Sequence, residues 1–148
     1  MTNRPRDFQR KRVYAAEGVC LSESMYDIHD LRVWVNQVTC SRVFRCLYPN
    51  YYFTGIEVKD GRGRRRACGS VFGYINMPRW SRNKFSVLHE LAHVVTRYDV
   101  SCHGEEFCQN YLTLVKHILG EQMHHDLQLR MKIEGVRFKP ARELPPIA

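Results

Sequence analysis

At 148 residues and 17.5 kDa, the chain has room for one domain with a hydrophobic core and not comfortably for two. Hydrophobic residues make up 44% and charged residues 26%, which excludes a disordered polymer, and no apolar run is long enough to cross a bilayer. A formal net charge of +8 favours polyanionic contacts without requiring them.

The opening MTNRPRDFQRKR is too polar for a signal-peptide core, so the expected compartment is the cytoplasm. Six cysteines form no Cys-x-x-Cys pair and are expected to be reduced, mostly buried thiols. Residues 5–16 read as a first helix opened by Pro5, with Phe8, Val13 and Ala16 on one face. A second helix runs from Asp27 to about Cys46 and breaks near Ser41, which caps a short continuation ended by Tyr48-Pro49-Asn50.

The texture changes after residue 50. YYFTGIEVK is β-branched and aromatic, and Asp60-Gly61 is a hairpin signal. RRRACGSV and FGYINMP would complete a small antiparallel sheet, with INMP (75–78) as an edge strand or simply the strand leading into the next helix. Helical patterning resumes over 82–96, 104–119 and 121–133. The fold class expected is therefore α+β: one domain over 1–138, then a proline-rich, extended tail over 139–148.

The chemistry concentrates in VLHELAHVVTRYDVSCHGEEF, residues 87–107. Residues four apart share a helix face, so His89 and His93 can point imidazole nitrogens at one metal ion. Glu90 is placed to take a proton from a water that the metal activates. The uncharged flanks (Val87, Leu88, Leu91, Ala92, Val94, Val95) bury this helix, and its polar groups then need partners. Catalytic zinc commonly takes three protein ligands, and three candidates compete for the third place. Asp99 lies ten positions after His89, where metzincins put their last ligand, but Thr96 stands where their turn needs glycine. Glu105 or Glu106 would serve in the manner of gluzincins. His103 stands at the start of the following helix and would point back at the first.

HELAH followed by HGEEF resembles the SprT-like metalloprotease pattern, in which the later histidine is the third ligand. RDFQRKRVYAAE, DGRGRRRA and INMPRWSRNKFSVLHELAH are similar to a family of small metallohydrolases of actinobacteria and their phages, over most of residues 6–120. The resemblance implies a zincin-like fold and a zinc peptidase with His89, His93 and His103 as ligands and Glu90 as general base. The cysteine-rich zinc ribbon carried by many SprT-like proteins has no counterpart after Cys108.

Secondary candidates have plainer readings. Tyr98 and Tyr111 are oxyanion donors or packing residues, and Cys102 and Cys108 are alternative ligands or reduced core thiols. His124 and His125 are adjacent and diverge on a helix, while His29 and His117 read as structural. RPRDFQRKR and GRGRRR are phosphate-binding surfaces or solvated charge. The partner expected is a protein or peptide substrate, with nucleic-acid contact through the basic segments as a further expectation and no membrane. The rival function is a basic nucleic-acid-binding protein whose zinc is structural or catalytically silent.

Overall fold

A computed structural model describes residues 5–18, 20, 27–51, 55–62, 67–70 and 73–146. In chain order they form α1 (Arg10–Gly18), α2 (Ile28–Thr39), α3 (Arg42–Leu47), β1 (Glu57–Lys59), β2 (Cys68–Ser70), β3 (Tyr74–Asn76), α4 (Lys84–Val95), α5 (Glu105–Leu114) and α6 (Glu121–Ile133). The α+β class is as expected.

Local chemistry sets most helix boundaries. The Asp27 side chain caps α2 by accepting from the Asp30 amide, and Ser41 caps α3 by accepting from Phe44, which produces the break read at Ser41. Asn83 does the same for α4, its carbonyl accepting from Ser86 N at 2.9 Å. Past α5, the backbone widens to a π-type turn over Val115–Leu119 and stops at Gly120, whose φ of 103° only glycine adopts readily.

The first helix begins later than the sequence suggests. Residues 5–8 enter without helical structure because Asp7 and Gln9 spend their side chains on distant partners. Gln9 donates to the carbonyls of His103 and Arg137, both at 2.8 Å, and accepts from Arg137 N. Phe8, expected inside, is exposed, while Val13 and Ala16 are buried as expected.

The sheet departs from the expected antiparallel arrangement. Its order is β1-β3-β2, with β1 parallel to β3 and β2 antiparallel to β3. A turn does form after β1: Asp60 Oδ1 accepts from Arg62 N, and Gly61 lies at φ 67° against Pro78. It sends the chain past β1 rather than back along it. β3 carries the buried Ile75 and Asn76 and takes the centre, where both of its edges are paired. INMP is therefore not an edge strand; β1 and β2 hold the edges.

β2 lies flat on α4, and Gly69 makes that approach possible: a Cβ there would come within 2.1 Å of the Glu90 carbonyl oxygen. α4 is thereby enclosed by β2 and α5, with Phe85, Leu88, Leu91, Val94, Phe107, Leu112 and Leu114 in one continuous core. Over 139–146 the tail is non-helical, and it is held down. Arg142 N donates to Thr113 Oγ1, and Gln109 donates to the Pro140 carbonyl. Among the described residues, no helix is long and apolar enough to cross a membrane.

Candidate metal centre

His89 and His93 project from one face of α4, as their spacing requires, and His103 arrives from the loop before α5. Their three Nε2 atoms converge. His89 to His93 and His93 to His103 are each 3.2 Å apart, and His103 to His89 is 3.3 Å. Tetrahedral coordination at zinc–nitrogen distances of about 2.0–2.1 Å would place ligand nitrogens about 3.3–3.4 Å apart, close to this spacing.

The tautomers point the same way. His89 Nδ1 lies 2.6 Å from Glu17 Oε2, and His103 Nδ1 lies 2.8 Å from Asp7 Oδ2. A carboxylate accepts only, so each Nδ1 carries a proton, and each ring in its neutral form presents the Nε2 lone pair inward. Converging lone pairs repel one another until a cation lies between them. Among the described residues this trio is the grouping of ligating side chains close enough to share an ion, and it could hold a metal ion.

Burial and charge shape the site further. His89 is 2% exposed and His103 is 4% exposed. Burial pulls the His89 pKa down, but the Glu17 carboxylate outweighs it, leaving a net rise to about 8. His103 is lowered, first by burial and then by the neighbouring His89, against the pull of Asp7. Phe107 stacks on the His93 ring with centroids 4.3 Å apart, and Tyr14 stacks on His89 at 5.6 Å. These rings hold the imidazoles in place.

Glu90 sits beside the trio with Oε1 3.8 Å from His89 Nε2. The residue is 5% exposed, and its other oxygen, Oε2, is buried without a hydrogen-bond partner. Burial raises its pKa to about 7, with Glu17 adding to the rise and His89 opposing it. An orphaned carboxylate oxygen costs stability, and the usual reason for keeping one is a missing partner such as water or substrate. A cleft of about 450 Å³ opens onto His89 and Glu90, lined also by Arg10, Lys11, Tyr14 and Trp80.

The other third-ligand candidates lie apart from the trio. Asp99 is exposed and engages Arg97 through both oxygens, at 2.9 and 2.6 Å. The chain leaves α4 extended at Thr96, whose hydroxyl bonds to the Ala92 carbonyl, so the sharp turn that Asp99 would need is not made. Glu105 is exposed, and Glu106 pairs with Lys139 at 3.8 Å. Cys108 is buried with its thiol pushed up to about 12, a poor thiolate source. Tyr111 is fully buried and donates its hydroxyl to the Phe85 carbonyl at 3.4 Å, while Tyr98 is exposed. His117 bonds to the Arg142 carbonyl, and His124 lies near Glu121. In GRGRRR, residues 63–66 lie outside the described residues.

Sequence reading missed Asp7, Glu17 and Tyr14. For Glu17 a signal existed: it shares the buried face of α1 with Val13 and Ala16, an acid on an apolar stripe. Asp7 and Tyr14 gave none, since their roles depend on where the N-terminal segment crosses the chain. No family model, curated protein or solved structure matches the chain.

Proposed function

We propose that the chain is a zinc-dependent hydrolase acting on peptide bonds, built on a zincin-like core related to the SprT-like metalloproteases. The observation that carries this reading is the pairing of three converged imidazole nitrogens with the orphaned, buried oxygen of Glu90, beside a cleft that His89 and Glu90 line. The HELAH and HGEEF words support it from the sequence side.

In this reading His89, His93 and His103 hold the ion, and Glu17 and Asp7 keep two of the rings in the ligating tautomer. Bound zinc would polarise the scissile carbonyl and lower the pKa of a water. Glu90 takes a proton from the attacking water and returns it to the departing amine. The peptide C–N bond breaks, hydroxyl adds to the acyl carbon and the amine nitrogen gains the proton. Because β3 is central, main-chain pairing with a substrate strand falls to β2, whose preceding residue Ala67 lines the cleft.

The rival reading, a structural zinc in a nucleic-acid-binding protein, would need a fourth protein ligand. Of the two thiols the sequence offers for it, Cys102 and Cys108, Cys102 is half-buried beside His103, and Cys108 accepts from Gln9 Nε2 and reaches the His103 carbonyl. The test is Glu90→Gln in zinc-loaded protein. The variant should keep one zinc per chain and lose peptide hydrolysis by at least about 100-fold, the scale of a general base. Full activity would remove Glu90 from this role.

A further inference from the structure

The surroundings of Glu90 carry information about what enters the cleft. The rim on the α1 side bears two cations, Arg10 and Lys11, both exposed. Neither has a carboxylate partner among the described residues. The acids that line the cleft, Glu17 and Glu90, are both buried, and Glu17 is committed to His89. Among the described residues, the mouth is therefore a basic surface without a neutralising carboxylate. Trp80, 60% exposed, adds an aromatic wall, and Tyr14 covers the His89 ring.

We propose that this cleft selects acidic peptide segments, with Arg10 and Lys11 receiving an Asp or Glu side chain of the substrate while Trp80 packs against its apolar atoms. The inference rests on the hydrolase reading and names its substrate class. Arg10 lies one helical turn before Tyr14, which stacks on His89, so the two cations flank the candidate metal centre on its α1 side.

A nucleic-acid strand is the less suitable occupant. Strand binding recruits a run of phosphate contacts along a groove, and among the described residues this cleft offers two cations in about 450 Å³. The same dimensions suit a few residues of extended chain.

The test uses a tryptic peptide mixture, either untreated or with its carboxyl groups converted to amides, and two readouts. In the first, zinc-loaded wild type digests each mixture and mass spectrometry locates the cleavage sites. In the second, the same mixtures are retained on immobilised zinc-loaded Glu90→Gln, which reads binding without hydrolysis. Asp and Glu should be enriched within a few residues to one side of the cleaved bond, and the untreated mixture should be retained preferentially. The double variant Arg10→Glu, Lys11→Glu should reduce the acidic preference by roughly five- to tenfold, the sum of two partly exposed ion pairs. Lys132→Glu, an exposed cation on α6 outside the cleft, should leave it unchanged.

Equal cleavage and equal retention of the two mixtures would overturn the substrate class and leave the hydrolase reading in place. Acidic retention without cleavage by the wild type would sustain the docking preference and remove the hydrolase. Single-stranded DNA that displaces the retained peptides in wild-type charge background but not in the double variant, with no acidic enrichment at cleavage sites, would assign the cations to nucleic acid and overturn the proposal.

Discussion

Glu17 stands 72 positions before the histidine it holds, and the contact is buried on both sides. A carboxylate in that position does two things to His89. It fixes the proton on Nδ1, leaving Nε2 to face the other two imidazoles, and it raises the basicity of the ring as a ligand. Removing the charge while keeping the shape separates these effects from packing. Glu17→Gln should lower zinc affinity by roughly 10- to 100-fold, measured by competition with a chromophoric chelator. An unchanged dissociation constant would reduce Glu17 to a structural partner. Asp7 makes the corresponding contact to His103, but it is more exposed, so its removal should matter less.

At the scale of elements, the site depends on how closely β2 approaches α4. A methyl group at Gly69 would collide with the Glu90 backbone, at 2.9 Å from its carbonyl carbon as well as 2.1 Å from the oxygen, and would press on His93 Cβ at 3.1 Å. Both obstacles are rigid parts of α4, so the strand or the helix must move. Gly69→Ala should cost about 1–3 kcal/mol in denaturant unfolding, the range for overpacking a well-filled interior. A stability equal to wild type would mean that β2 shifts freely. The elements also show how far the sequence could be read. α6 carries its own start at Gly120 and runs over the residues expected of it, and α2 and α3 announce their caps at Asp27 and Ser41. α4 is legible because an unbroken uncharged flank and the His–His spacing coincide. The sheet is not legible, because strands of three residues carry too little alternation to choose partners, and Asp60-Gly61 marks a turn without saying which strand follows it. The histidine trio could be nominated from sequence, but its choice over Asp99 depends on the extended exit at Thr96, a tertiary outcome set by Asn110 donating to the Thr96 hydroxyl.

For the whole molecule, metal, proton and stability are linked. The folded pKa of Glu90 is raised from 4.5 to about 7, so the metal-free fold binds more protons than the unfolded chain between those values. Its stability contribution is present below pH 4.5 and is lost as pH rises through 7. His89 is raised from 6.5 to about 8, so its contribution is present below 6.5 and lost as pH rises through 8. Both groups make the metal-free protein less stable at pH 8.5 than at pH 6. Zinc bound at the proposed site would run the other way, because it would require His89 to give up the competing proton. The thermal midpoint of metal-free protein should fall between pH 6 and 8.5, while the increment produced by zinc should grow. A zinc increment that shrinks toward pH 8.5 would place the ion elsewhere.

The central claim is that three imidazoles, and no thiolate, hold one metal ion and leave a coordination position open. X-ray absorption at the zinc edge of protein loaded with one equivalent tests it most directly. The expected spectrum has three imidazole nitrogens and one further light atom at about 2.0–2.1 Å. A sulfur neighbour at about 2.3 Å, or failure of the chain to retain zinc at all, would contradict it.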